Sequence, residues 1–227
     1  MTIRLAIFDL AGTTVHDPGA VNRCFLGAME AAGLDADPAE VDAVMGLPKP
    51  EAFRLLIGKS PGGAGALGRL EAIHADFVVR MLDYYRTDPS VAEVGGVSRL
   101  FAGLRASGVL VGLDTGFSRE ITRTILDRLG WGRDALINAA ISSDEVPRGR
   151  PSPDMIARLM KDLGVEHASV VAKVGDAPAD LQEGTNAGCG LVVGVTWGTH
   201  SRSRLEQHPH THIVDSVEEL STLLLGA

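Results

Sequence analysis

Cysteine is scarce in this chain. The 227 residues hold two, Cys24 and Cys189, far apart and without metal-ligand spacing. That leaves no disulfide framework and no thiolate metal centre, and reads as two reduced, packed thiols of a cytoplasmic protein. Clustered positive charge is missing too: 21 Lys and Arg stand against 29 Asp and Glu, a formal net charge of −8. With no basic block, nucleic acid and anionic membrane are not expected partners, and an anionic substrate would need a locally positive pocket. No apolar stretch approaches the ~20 residues that cross a bilayer, and Asp9 interrupts the N-terminal apolar run too early for a secretory signal. Internal repeats are absent, as is low complexity beyond one Gly-rich loop. The turn after the first apolar run has no Gly-x-Gly-x-x-Gly, which disfavours a dinucleotide-binding oxidoreductase.

What the chain does have is a first strand and turn, Leu5-Ala6-Ile7-Phe8-Asp9-Leu10-Ala11-Gly12-Thr13-Thr14. A short apolar run ending in Asp, then Gly and hydroxyls, reads as a buried parallel strand that delivers a carboxylate to the carboxyl edge of a sheet, where open α/β sheets bind ligands. Helical periodicity follows over 21–32, 38–45, 51–57 and 68–86, with 59–67 a flexible Gly-rich loop and no strand candidate. From Pro89 onward the pattern alternates: helices over 97–106, 118–129, 153–163, 178–187 and 217–225, and strands over 109–113, 136–141, 169–174, 191–195 and 212–214. Ser118 and Ser152-Pro153 are N-cap candidates, and Ser216 with Glu219 forms a capping box. Such alternation predicts an α/β fold with a Rossmann-like parallel sheet, comprising 1–17 and 90–227, and an all-helical cap, 18–89, inserted after the first strand. A hydrophobic content of 45% suits a well-filled core.

Three further loops follow strands. Asp114-Thr115-Gly116-Phe117-Ser118 brings a hydroxyl and a Gly to a helix N-terminus, where backbone N–H groups bind phosphoryl oxygens. Gly175-Asp176-Ala177-Pro178-Ala179-Asp180 places two acids four apart at a strand end, suited to hard oxygen ligation of Mg²⁺. Between them, Pro147-Arg148-Gly149-Arg150-Pro151 sets a cation on a rigid loop, able to offset the charge of a transferring phosphoryl group. Taken singly, each has a plain structural reading: Thr115 as a cap, Asp180 as a first-turn acid, Arg150 as a surface charge. Together, in this order and spacing, the four loops resemble the haloacid dehalogenase superfamily, mostly Mg-dependent phosphohydrolases, over nearly the whole chain.

Ala11 narrows the resemblance. Ordinary phosphatases of the superfamily carry Asp two residues after the nucleophile, as acid and base for the leaving oxygen and hydrolytic water. Asp-x-Ala-Gly-Thr-Thr, with Arg in Gly149-Arg150-Pro151, resembles the phosphonatase family, in which a cap lysine forms a Schiff base with an aldehyde so that P–C cleavage releases an enamine. That lysine lies in Met-Gly-x-x-Lys, matched by Met45-Gly46-Leu47-Pro48-Lys49. Other matches are Thr115-Gly116 with Arg119-Glu120, Val146-Pro147, Lys173-Val174-Gly175-Asp176 and Asn186-Ala187-Gly188. Departures fall where the organic end of the substrate would be: Ala52 replaces a His, Gly19 a Cys and Phe117 a Tyr. The phosphoryl-transfer half is intact and the aldehyde-handling half thinned, so the substrate need not be phosphonoacetaldehyde.

The expected site follows from the resemblance. Asp9 is the nucleophile; Mg²⁺ bridges Asp9, the Ala11 carbonyl and Asp176, with Asp180 acting through a water. Leu10, Ala11, Thr115 and Gly116 hold phosphoryl oxygens, and Arg150 orients the nucleophile. Lys49 binds the substrate or forms the imine. On the residues themselves, Pro48 and Pro50 place Lys49 near a helix N-cap, whose dipole disfavours an ammonium and lowers its pKa, while a protonated lysine binding an anion is the alternative. His16 and His74 read as surface residues able to supply an acid or base, and His208, His210 and His212 as a solvated loop. The expected activity is a phosphonatase-like hydrolase for a small anionic phosphonate, with a phosphomonoesterase for a small phosphate ester as the alternative; a homodimer is compatible with the sequence. A haloalkanoate dehalogenase needs no metal, against Asp176 with Asp180, and a non-catalytic module would be expected to have lost Asp9 or Asp176.

Overall fold

The computed structural model describes residues 2–132 and 136–226. In chain order the elements are β1 (Leu5–Phe8), α1 (Ala20–Ala31), α2 (Pro38–Ala43), α3 (Lys49–Lys59), α4 (Leu70–Thr87), α5 (Val97–Ala106), β2 (Leu110–Thr115), α6 (Arg119–Leu129), β3 (Ala139–Ser142), α7 (Asp154–Asp162), β4 (Val171–Gly175), α8 (Pro178–Ala187), β5 (Leu191–Val195), α9 (Arg202–Leu205), β6 (His212–Val214) and α10 (Val217–Leu225). The strands form one parallel sheet of six, ordered β3-β2-β1-β4-β5-β6. This is the α/β Rossmann-like architecture read from the alternating pattern.

β1 shows no apolar–polar alternation because both its faces are covered. Leu5 and Ile7 pack with Met155, Ile156 and Leu159 of α7, while Ala6 and Phe8 face the opposite layer, where the Phe8 and Phe101 rings lie 5.1 Å apart. Chain order reverses at β1, with β2 on one side and β4 on the other. Phe8 is in register with Leu113 and Val174, so Asp9, Asp114 and Gly175 emerge at one level of the carboxyl edge.

The helices α1 to α4 lie between β1 and β2, as the strand-free stretch suggested. Phe25, Phe53 and Phe77 from three of them meet with centroids 4.6 to 5.4 Å apart and form the centre of this insertion. Its two connections run side by side: His16 N–H donates to Ala92 O at 3.0 Å, and Val94 N–H to Thr14 O at 2.9 Å.

Several boundaries differ from the sequence reading. The stretch taken as a flexible loop contains a 3₁₀ turn, Gly63–Arg69, with Ala66 buried; at Gly63 a Cβ would overlap the Ile57 carbonyl, so glycine lets this turn fold back onto the end of α3. α3 begins at Lys49, ahead of the expected 51. β3 starts only at Ala139, because Asn138 occupies the edge of β2 with its own side chain, accepting from Val111 N–H at 2.9 Å. α9 was not anticipated. Ser118 sits at the N-cap of α6, but its hydroxyl makes no capping bond; the Asp144 carboxylate accepts from Arg119 N–H instead, at 3.0 Å. Ser152 Oγ bonds Asp154 at 2.7 Å, and α7 starts at that Asp. Ser216 does cap α10, accepting from Glu219 N–H at 3.1 Å, whereas Glu219 reaches Asp215 N–H rather than closing the box.

Candidate active site

Asp9 follows β1 directly and is nearly enclosed, at 6% exposure. Its N–H donates to Val174 O at 3.0 Å, which extends the β1–β4 ladder by one residue, and its O accepts from Thr14 Oγ1 at 2.8 Å. The carboxylate accepts from Arg150 Nη1 at 2.7 Å. Burial pushes Asp9 up to about 7 against the pull of Arg150, and the neighbouring Asp180 and Asp176 add to the rise. Gly12, at φ +88°, turns the chain back toward β4; a Cβ there would overlap the Asp176 carboxylate. Asp176 is held by Thr13 Oγ1 at 3.0 Å and Thr199 N–H at 2.7 Å.

Arg150 is fully buried and spends its guanidinium on the protein. Nε donates to Glu183 at 2.8 Å, Nη1 pairs with Asp9 and with Asp180 at 3.0 Å, and Nη2 donates to the Asp114 carbonyl at 2.9 Å and to its carboxylate. It therefore aims the Asp9 carboxylate rather than standing free on a loop surface. Lys173, from the middle of β4, joins the same network, pairing with Asp114, with Asp180 at 3.0 Å and with Glu183 at 3.3 Å. Burial alone would raise the Asp114 carboxyl, but Arg150 and Lys173 hold it below the usual range. Burial together with Asp114 pushes Glu183 up to about 8. The roles of Asp114, Lys173 and Glu183 escaped the sequence reading. The signals were present: a Lys inside an otherwise apolar strand, and an acid one helical turn after Asp180 on the same face.

Lys49 opens α3 and is 5% exposed. Its Nζ lies 5.0 Å from the Phe117 ring centroid and 5.4 Å from that of Phe25. Burial lowers its pKa to about 8, outweighing the attraction of Asp9. The direction matches the expectation, but the main cause is desolvation rather than the helix dipole.

The inner cavity beside Asp9 is lined by Ala11, Asp17, Lys49, Thr115, Gly116, Arg150 and Asp176 among others, so most of the expected residues converge. Leu10 does not line it: that side chain is wholly inside the apolar core. Asp180 is likewise withdrawn behind Arg150 and Lys173. Thr115 Oγ1 accepts from Phe117 N–H at 3.2 Å, which shapes the loop after β2. The loop after β5, with Trp197 donating to Thr13 O at 3.0 Å and His200 Nδ1 3.1 Å from Asp176 O, backs the site and was not singled out from sequence. His16 is exposed; His74 is half-buried against Phe53 and Phe77 in an outer cleft that shares Lys49, Gly116 and Arg150 with the site. Both thiols are free and half-buried, Cys24 raised by burial to about 11 and Cys189 to about 12.

The acids suit a divalent cation. Asp9, Asp176 and Asp180 each offer an oxygen, all within 4.8 Å of one another. All are buried hard donors, and their mutual repulsion helps raise Asp9 and Asp176. A second cluster, Asp114, Asp180 and Glu183, already has Lys173 and Arg150 as its cations.

A sequence profile of haloacid dehalogenase-like hydrolases matches residues 6–194. The chain belongs to this family. Within it, phosphonoacetaldehyde hydrolase of Bacillus cereus (strain B4264) is 31% identical over 236 residues, spanning 96% of this chain and 84% of the relative. The enzyme of that name from Bacteroides fragilis is 30% identical over 243 residues, spanning 99% and 89%. The crystal structure of a phosphonoacetaldehyde hydrolase-like protein from Oleispira antarctica aligns with a TM-score of 0.87 at 22% identity, over 100% of this chain and 92% of that one. A candidate phosphoglycolate phosphatase from Lactobacillus delbrueckii subsp. bulgaricus aligns over 100% of both chains with a TM-score of 0.81 at 24% identity. At these identities the two structures establish the shared haloacid dehalogenase-like fold. No helix among the described residues is long and apolar enough to cross a membrane.

Proposed function

We propose that this haloacid dehalogenase-like hydrolase cleaves the P–C bond of a small phosphonate bearing an aldehyde or ketone, through an aspartyl phosphate on Asp9 and an imine on Lys49. The observation that carries the reading is a buried lysine with a lowered pKa beside a nucleophilic Asp, in a cavity where the position two residues after the nucleophile holds only a methyl group. A neutral amine adds to a carbonyl, and burial brings Lys49 within reach of that state near neutral pH. The resulting protonated imine accepts the electron pair of the P–C bond, so the leaving carbon needs no proton at that step.

Asp9 attacks phosphorus, held on line by Arg150, whose other donors are fixed on Asp114 and Glu183. Thr115 and Gly116 line the position of the phosphoryl oxygens. Asp9, the Ala11 carbonyl and Asp176, with Asp180 behind them, would hold Mg²⁺, which would supply positive charge against that of the phosphoryl group. The helical insertion acts as a cap: its Met45–Lys49 segment covers the core loops and excludes water.

The second reading, a phosphomonoesterase, is favoured by Ala52, Gly19 and Phe117, which thin the aldehyde-handling side. Borohydride added during turnover of phosphonoacetaldehyde separates the two. The imine reading requires inactivation with a two-carbon adduct on Lys49, located by peptide mass; an unlabelled, fully active enzyme supports the ester reading.

A further inference from the structure

Imine formation needs a group that moves protons beside the amine, and the positions two residues after Asp9 and three after Lys49 hold only Ala11 and Ala52. The titratable residues lining the inner cavity are Asp9, Asp17, Lys49, Arg150 and Asp176. Asp9 is paired with Arg150, and Asp176 is engaged by Thr13 and Thr199. Asp17 is left. It lies in the connection from β1 to α1, half-buried, and its carboxylate accepts from Ala20 N–H at 2.5 Å. The charged and titratable groups facing it are Lys49 of α3, Arg23 and Cys24 of α1, and Tyr84 and Tyr85 of α4. Burial raises the Asp17 pKa and lowers that of Lys49, which narrows the gap between the two and favours proton exchange.

We propose that Asp17 is the proton-transfer residue for the Lys49 imine, in the role left empty at positions 11 and 52. This rests on the imine reading above. The step starts from the neutral Lys49 amine and the protonated Asp17 carboxyl, both lining the same cavity. The amine adds to the carbonyl carbon as Asp17 gives its proton to the oxygen, and the resulting Asp17 carboxylate takes a proton from the nitrogen, giving the neutral carbinolamine and the Asp17 acid again. Asp17 then gives that proton to the hydroxyl, which leaves as water, and the nitrogen lone pair forms the protonated imine. Asp17 ends as the carboxylate, with atoms and charge balanced.

The test isolates imine formation from P–C cleavage. In Asp9→Asn, which lacks the nucleophile, phosphonoacetaldehyde and borohydride should still label Lys49, and adding Asp17→Asn should slow labelling about 10²-fold. Asn retains an oxygen for the Ala20 N–H, so the fold is spared. Asp17→Ser, a capping residue without a carboxyl, should be equally slow at an unchanged thermal midpoint, and Asp17→Glu should regain at least about tenfold. Labelling of the Asn or Ser double variant at the parent rate would overturn the role and leave Asp17 as a cap of α1. An Asp9→Asn protein that never labels would instead overturn the imine reading, and this inference with it.

Discussion

Lys49 and Arg150 are both buried cations, and their surroundings give them opposite tasks. Arg150 is ringed by Asp9, Asp114, Asp180 and Glu183, stays charged, and positions. Lys49 faces two aromatic rings with no ion-pair partner among the described residues, and can give up its proton. A pKa of about 8 gives the pH dependence its sign: the amine is protonated below it and neutral above. Turnover of a phosphonoaldehyde should therefore rise with pH through about 8 and level off above it, and a flat profile from pH 6 to 9 would disconnect Lys49 from the chemistry. Arg150→Lys should lower kcat by at least about 10², since one ammonium cannot reach Asp9, Asp114 and Glu183 together, and should cost about 3–5 kcal/mol in urea unfolding by stranding buried carboxylates. Asp9, Thr115, Arg150 and Asp176 were legible in sequence because each follows a strand or lies in a Gly- and Pro-marked loop. Lys173 and Glu183 left a signal, but their partners did not, since pairing across the fold is what gives a Lys in a strand or an acid on a helix its task, and Asp17 in its linker left none.

Close approach between the insertion and the core depends on glycine. A Cβ on Gly116 would stand 2.5 Å from the Leu47 carbonyl oxygen, and one on Gly46 2.9 Å from Ala177 Cβ. Gly116→Ala should lower kcat/KM for the phosphonate by at least about tenfold, because an obstructed loop near the reacting groups disturbs their alignment; the measurement is steady-state kinetics beside a melting curve, and unchanged kinetics would show that the segment does not seat as described. The insertion has its own centre at Phe25, Phe53 and Phe77, so Phe53→Ala should cost about 3–5 kcal/mol, read from denaturant unfolding. Helices and buried strands were legible from periodicity at most positions. The misses have local causes: Asn138 completes the edge of β2 with a side chain, Asp144 caps α6 from another loop, and the glycines at 62 and 63 permit a turn where composition suggested a loose loop.

The cavity at Asp9 has a volume of only ≈ 20 Å³, room for a water-sized body and too little for a phosphonate with its organic end. The adjoining outer cleft, which shares Lys49, Gly116 and Arg150 with that cavity, has ≈ 370 Å³ and gives the organic end of a substrate room. Burial and neighbouring acids raise Asp9 from 3.8 to about 7 and raise Asp176 too, so without a cation their contribution to stability is present at low pH and lost as pH climbs toward 7. Saturating Mg²⁺ should recover it, raising the thermal midpoint by roughly 5–10 °C at pH 7.5 at about a hundredfold over Kd, and by less at pH 5.5; an equal rise at both would argue against binding at these carboxylates. The most direct test of P–C cleavage is the ratio of kcat/KM for phosphonoacetaldehyde to that for phosphoglycolate, measured on the Mg²⁺-loaded wild type. With Ala11 in place of an acid, ester cleavage lacks a proton donor worth about 10² to 10⁴ in rate, so a ratio above about 10² is expected. A ratio below one, with the ester turned over at an ordinary enzymatic rate, would contradict it.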